Sequence, residues 1–222
     1  QQGDLAPAGS ANANTGLAPY RSKPWEAGVK VALSKLDLSA AVFRLERPFA
    51  NVDPVDNTFK ISGDQLNYGL ELMAVGEIAR NLTMYGGVTL LDPKLKGTGN
   101  SDTDDKQYVG MPKVKSNILL EYHVPMIAGL VVSADWQYSA RRPGDDTNTT
   151  WADSYNTFDL GARYTTQVAG KATTLRLALN NITDERYWST VAPSNITGTN
   201  KGNMVAHIGA PHARDPARLR RA

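Results

Sequence analysis

Residues 66–90, LNYGLELMAVGEIARNLTMYGGVTL, decide the fold class, because the character of the side chains changes at every second position. One face is mostly apolar and carries Leu66, Tyr68, Leu70, Leu72, Ala74, Ile78, Leu82, Met84, Val88 and Leu90. The other face is mostly polar or small. A period of two residues is that of a β-strand, and Arg80-Asn81 supplies a tight turn between the two halves. The stretch therefore predicts two long antiparallel strands.

The same alternation recurs along most of the chain and predicts eight strands in total. The six further segments are residues 25–33, 36–47, 114–124, 130–138, 158–164 and 175–179. In residues 36–47 the alternation loses its phase near Phe43, which predicts a β-bulge there. Most of the strands are about 10 residues long, the length of membrane-barrel strands, whereas strands in soluble proteins average about 5–6 residues.

Short and long connections alternate along the chain. The short connections are Ser34-Lys35, Arg80-Asn81, residues 125–128 and residues 168–171, and the long ones are residues 48–63, 92–112, 142–153 and all that follows Ser189. Outer-membrane barrels have this asymmetry, with tight turns at one end and long loops at the other. We therefore predict an all-β, antiparallel meander of about eight long strands that forms part of a transmembrane β-barrel.

Composition excludes several other classes of protein. The 24 basic and 22 acidic residues of the 222-residue chain leave a net charge of +2, so no basic surface for nucleic acid is expected. No run of about 20 apolar residues is present, which excludes a helical membrane bundle. The chain has no cysteine, its three histidines are not clustered, and it lacks a G-x-S-x-G motif, so we do not expect an enzyme.

Six segments resemble, in order, the C-terminal part of TonB-dependent outer-membrane receptors, in particular ferric-siderophore receptors. They are residues 20–30 (YRSKPWEAGVK), 41–47 (AVFRLER), 63–72 (GDQLNYGLEL), 109–113 (VGMPK), 155–164 (YNTFDLGARY) and 180–188 (NNITDERYW). The last is similar to the family's N-L-x-D-x-x-Y motif near the end of the penultimate strand. The resemblance extends over residues 20–209.

The resemblance implies a 22-stranded barrel in a Gram-negative outer membrane, closed by an N-terminal plug, that imports iron chelates with energy from TonB. This chain would supply the eight strands before the last. The implied partners are a ferric siderophore, outer-membrane lipid and, through a missing N-terminal part, the TonB system. No cofactor is implied beyond iron bound as a chelate. We do not expect the fragment to transport on its own.

The resemblance also suggests a division of the chain. Residues 1–209 would be partial barrel, with an external loop at 1–20 and strands from about 24 to 188. Gly209-Ala210-Pro211 resembles the family's lead-in to its final strand. The Arg-rich tail 210–222 departs from the family pattern, and Pro216 within it cannot donate to a β-ladder, so we expect this tail to be unstructured.

The candidate ligand-binding residues stand at the loop end of the predicted strands and are Tyr108, Arg141, Arg142, Trp151, Tyr187 and Trp188. In the resembling family, aromatic and arginine side chains at this end often line the chelate pocket. Ferric siderophores are often anionic and flat, so guanidinium groups and stacked rings suit them. The same residues would also serve in loop packing or in the aromatic girdle at the membrane interface.

Two further architectures fit the alternation of side chains. A self-closed eight-stranded barrel would be a small ligand-binding or adhesion protein with a continuous ring of hydrogen bonds and one apolar patch in its lumen. A soluble β-sandwich would be a binding module that packs its apolar faces against each other.

Overall fold

The computed structural model describes residues 3–193 and 204–210. In the described part of the chain all regular structure is strand. The twelve strands are β1 (Lys23–Ala32), β2 (Leu36–Val52), β3 (Phe59–Ala79), β4 (Leu82–Lys96), β5 (Val114–His123), β6 (Leu130–Ser139), β7 (Arg142–Pro143), β8 (Trp151–Ala152), β9 (Tyr155–Val168), β10 (Lys171–Leu179), β11 (Trp188–Pro193) and β12 (Met204–Ile208).

Eight of the strands form one continuous sheet in the order β1-β2-β3-β4-β5-β6-β9-β10, and each strand is antiparallel to its neighbours. The pairs β7–β8 and β11–β12 are separate two-stranded hairpins. The predicted antiparallel meander of eight long strands is therefore confirmed. The sheet is curved but unclosed among the described residues, with β1 and β10 at its edges, as expected for part of a barrel.

Most of the apolar side chains of the sheet stand on one face, and no second layer packs on that face within the described ranges. Trp25, Val29 and Leu177 are 60%, 61% and 64% exposed, respectively. We call this the outer face. A β-sandwich would bury these side chains, and a self-closed barrel would pair β1 with β10, so neither alternative is supported.

Phe43 lies on the opposite, inner face, and the predicted bulge beside it is wrong. Residues 36–48 of β2 pair with β3 without interruption, and the register shifts between Pro48 and Ala50 instead. Phe43 is paired with Gly69, and a Cβ atom added to this glycine would lie 2.2 Å from the phenylalanine ring. Because Gly69 has no side chain, the ring fits on the inner face and no bulge is needed.

Several strands extend further at the loop end than the alternation predicts. The predicted loop 48–63 is mostly strand, because Asn51 pairs with Lys60 and Val52 with Phe59, which leaves a connection of only residues 53–58. Likewise, β4 continues to Lys96. The sheet therefore rises above the region in which its outer face is apolar.

The segment before β1 folds against the tip of the β2–β3 hairpin. Asn12 donates a side-chain hydrogen bond to the backbone oxygen of Phe59 (2.9 Å) and accepts one from its backbone nitrogen (2.8 Å). A single bridge joins Leu5 to Gly16. Residues 211–222 of the Arg-rich tail lie outside the described residues, and the division at residue 209 stays a prediction.

Candidate functional site

Five connecting segments lie at one end of the sheet, and four tight turns lie at the other. The loop end has residues 3–22, 53–58, 97–113, 140–154 and 180–187, whereas the turn end has residues 33–35, 80–81, 124–129 and 169–170. Residues 97–113, residues 140–154 and β11 meet in a small apolar cluster of Val109, Ala152 and Val191, all less than 10% exposed. They therefore form one layer over the end of the sheet.

Arg142 is the buried centre of this layer, at 5% exposure. Its guanidinium group donates to the Ser139 hydroxyl oxygen (3.3 Å) and to the backbone oxygen of Trp188. Its Cζ atom lies 5.4 Å from the centre of the Tyr155 ring, which stacks on Tyr187 with 4.2 Å between centroids. Burial raises the pKa of Tyr187, and nearby Tyr155 adds to this effect. Arg142 thus joins the segment after β6 to the start of β11.

Arg141, the preceding residue, points the other way and is exposed. Its Cζ atom lies 4.6 Å from the centre of the Trp151 ring, within cation–π range. The ring is fixed in turn, because its Nε1 donates to the backbone oxygen of Asn148 at 2.9 Å. Arg141 and Trp151 therefore present a cation and a held aromatic ring to a ligand that approaches from the loop end.

Asp145 organises the loop between β7 and β8. Its carboxylate accepts five hydrogen bonds of 2.5–3.0 Å from the backbone and hydroxyl groups of Thr147 and Thr149 and from the backbone nitrogen of Thr150. Burial alone would raise the pKa of Asp145, but these hydrogen bonds outweigh it and hold the pKa well below its usual value. The carboxylate is therefore a structural anion.

Asp146 is also buried, at 5% exposure, but its environment has the opposite effect on its carboxylate. Its Oδ1 atom has no hydrogen-bond partner among the described residues. Burial, together with the negative charge of Asp145, raises the pKa of Asp146 to about 6. The loop thus contains one strongly acidic carboxyl group and one that is weakly acidic.

Tyr108 lies apart from the Arg142 cluster. Its ring packs edge-on against Phe49, with 6.3 Å between centroids, and its backbone nitrogen donates to the oxygen of Pro93 at 3.0 Å. Burial raises the pKa of Tyr108, and the positive charge of Arg47 opposes this change. Arg47 itself stands over Tyr20, with 5.6 Å from its Cζ atom to the ring centre.

The structure therefore brings the six predicted residues together only in part. Arg142 contacts Trp188 directly and Tyr187 through Tyr155, and Arg141 contacts Trp151, whereas Tyr108 belongs to a second group with Phe49, Arg47 and Tyr20. Sequence reasoning missed Tyr155, Asp146, Arg47 and Tyr20 as members of the layer. Arg47 had a usable signal, because its odd position in β2 places it on the inner face with Phe43.

Comparison with known proteins assigns this sheet and its loops to a family. The family model described as "TonB dependent receptor-like, beta-barrel" matches residues 1–182. The chain belongs to this receptor family. Members of the family are outer-membrane β-barrel proteins of Gram-negative bacteria, and the relatives of this receptor chain are transport receptors.

Three relatives illustrate the match of the receptor chain. The ferrichrome receptor FcuA of Yersinia enterocolitica is 32% identical over 183 residues, which are 82% of this chain and 24% of that protein. The ferrioxamine B receptor of Salmonella typhimurium (strain LT2) is 27% identical over 177 residues, 77% of this chain and 25% of that protein. The crystal structure of BauA, the ferric preacinetobactin receptor of Acinetobacter baumannii, superposes with a TM-score of 0.76 at 29% identity, covering 95% of this chain and 31% of BauA.

The receptor chain thus spans about a quarter of the length of the curated relatives it matches. No helix in the described ranges is long and apolar enough to cross a membrane. Over residues 3–193 and 204–210, no group of three or more histidine, aspartate and glutamate side chains could hold a metal ion.

Proposed function

We propose that this chain is part of an outer-membrane receptor that binds a ferric siderophore at its loop end and imports it with energy from TonB. The observation that carries the proposal is the pairing of exposed Arg141 with the fixed ring of Trp151 in the loop layer of a receptor-family sheet, which also contains the exposed Trp188. This combination suits a ligand with anionic oxygens and flat, delocalised rings.

The reaction is binding and passage, with no bond made or broken by the protein. Iron enters as the cargo of an organic chelate, and the described residues act only by contact with that chelate. The outer face would lie against lipid hydrocarbon, because its side chains are apolar and uncovered. The energy-coupling step is assigned to the part of the receptor outside this chain.

Siderophore uptake by iron-limited cells tests the proposal. The complete receptor is expressed in a Gram-negative host that lacks its own siderophore receptors, and uptake of radiolabelled ferric siderophores is measured with and without TonB. We expect uptake of at least one ferric siderophore, abolished in the host without TonB. Uptake that does not depend on TonB, or a receptor that binds no ferric siderophore, would contradict the proposal.

Two tryptophan variants locate the binding site within the receptor. Trp188→Ala, at the loop end, should lower the affinity for the siderophore by roughly 10-fold, as expected for the loss of one aromatic contact. Trp25→Ala is the control, because Trp25 is also exposed, at 60% against 42% for Trp188, but lies on the outer face. Equal effects of the two variants would remove the loop end from the proposal.

A further inference from the structure

Two arginines on β2 form a natural pair for comparison, because they are three residues apart and point to opposite faces of the sheet. Arg44, on the outer face, stands 5.9 Å from the centre of the Tyr68 ring and makes a 2.6 Å ion pair with Glu46. Arg47, on the inner face, stands 5.6 Å from the centre of the Tyr20 ring. Arg47 makes no ion pair with any described residue, so only Arg44 has its charge balanced directly.

The surroundings of Arg47 leave its charge available at the loop end of the inner face. Tyr20 is 3% exposed, and its hydroxyl group donates to the carboxylate of Asp4 at 3.0 Å, which directs that carboxylate to the tyrosine. The residue opposite Arg47 on β3 is the buried Gln65, whose Nε2 donates to Asn67 at 3.3 Å. The Asp4 carboxylate and the Gln65 amide are thus each engaged by a group other than Arg47, and of the three groups only the Tyr20 ring contacts the cation.

Only part of the Arg47 guanidinium group is enclosed. Its Nε atom is buried and has no hydrogen-bond partner among the described residues, but the side chain as a whole is half-buried. An enclosed cationic donor without a partner is unfavourable, and an anionic oxygen that reaches it removes the penalty. The planar group also matches the geometry of two adjacent oxygens, because it offers parallel N–H donors.

We propose that Arg47 is an anion-binding residue of the loop-end site and takes an anionic oxygen donor of the ligand, of the catecholate or carboxylate class. The Tyr20 ring stacks on the cation, and the Tyr108 ring packs on Phe49, two residues further along β2. The inference rests on the proposed function, since it names the chemical class of chelate that the same site takes. It also assigns the contact to the inner face of the sheet, below the loops.

The experiment uses the complete receptor in detergent and compares Arg47→Gln with the matched variant Arg44→Gln. The probes are a trianionic ferric tris-catecholate, the anionic ferric dicitrate and the neutral trihydroxamate ferrichrome, with binding followed by quenching of intrinsic fluorescence. For the anionic probe that binds, Arg47→Gln should lower the affinity by roughly 10- to 100-fold, the loss expected for a charge-assisted hydrogen bond. Arg44→Gln should change it by less than about 2-fold.

Two further readouts separate an ionic contact from a structural one. The affinity of the wild-type receptor for the anionic probe should fall as salt is raised, and Arg47→Gln should flatten that dependence, whereas Arg47→Lys should keep it. Heat-modifiable mobility on gels confirms that each variant contains a folded barrel.

Each result has a defined consequence. A wild-type receptor that binds no ferric chelate defeats the proposed function and this inference with it. Binding of an anionic probe that Arg47→Gln leaves unchanged, or weakens no more than Arg44→Gln does, overturns this inference alone. If the wild-type receptor binds the neutral probe and neither anionic probe, this inference is overturned as well.

Discussion

Replacing Asp145 by asparagine tests how the loop between β7 and β8 is held. In the native loop, Oδ1 accepts from the backbone nitrogens of Thr147 and Thr149 and from the Thr147 hydroxyl group, and Oδ2 accepts from the Thr149 hydroxyl group and the Thr150 nitrogen. Asparagine keeps an acceptor on the first side but places an NH₂ group on the second. The Thr149 hydroxyl group can rotate and accept from that amide, but the backbone nitrogen of Thr150 loses its acceptor.

The expected cost follows from that single loss. A hydrogen bond to a charged acceptor contributes about 1.5–3 kcal/mol, so Asp145→Asn should raise the open population of the loop about 10- to 150-fold. Hydrogen–deuterium exchange of the complete receptor, followed by mass spectrometry of peptides covering residues 140–154, measures this as faster exchange. The rest of the sheet should exchange as before, because loops open without unfolding the strands.

Asp153 supplies the control for this experiment. It lies just after β8, within the same peptides covering residues 140–154, but is exposed, and Asp153→Asn should leave exchange unchanged. Unaltered exchange in Asp145→Asn would show that the five hydrogen bonds do not hold the loop. An equal increase in both variants would show that overall loop charge, rather than the carboxylate of Asp145, governs its opening.

Three further predictions concern the sheet and the same loop. Gly69→Ala should lower the free energy of unfolding of the barrel in urea by about 1–3 kcal/mol, because its new Cβ atom meets the ring of Phe43. The same substitution should cost much less in a Phe43→Ala background, and equal costs in the two backgrounds would refute the contact. Because the pKa of Asp146 is raised to about 6, above the unfolded value of about 3.9, loop stability should fall as the pH rises from about 4 to 6. Asp146→Asn should abolish that trend in exchange measurements corrected for intrinsic rates, and an unchanged profile would contradict the assignment. Leu177→Arg, on the outer face, should make the free energy of folding into bilayers less favourable by about 2–4 kcal/mol. Ala178→Arg, on the inner face, should be tolerated. Similar costs for the two variants would mean that the two faces do not differ in environment.

The alternation of side chains sufficed to predict the meander, because hydrocarbon on one side and water on the other impose opposite requirements on neighbouring residues. The alternation failed to predict the strand beyond Arg47, because β2 continues to Val52 although the sequence there resembles a loop. Once a strand rises above the apolar zone, water wets both of its faces, so the ladder of hydrogen bonds continues without any hydrophobic signal. Phe43 was misread for a different reason, because the space for its ring is made by Gly69 on the next strand.

The candidate site was less accessible to sequence reasoning. The types of residue at the loop end were predictable from the spacing of the strands, but their contacts were not. Arg142 reaches the backbone of Trp188, 46 positions away, and the role proposed for Arg47 depends on its making no ion pair with the described residues. Such properties arise from the relative positions of distant segments, and a single sequence does not contain them.

The two unpaired margins of the sheet, β1 and β10, have a practical consequence for anyone who isolates this piece of the receptor. Along each margin the backbone amide and carbonyl groups have no neighbouring strand among the described residues, and such a row is a template for another chain. In a lipid environment each bare group costs several kcal/mol, so the excised piece gains by joining margin to margin with further copies. Preparations of the isolated segment are therefore expected to be multimeric. Antibodies or ligands selected on such preparations would bind an assembly of copies that does not occur in the intact receptor.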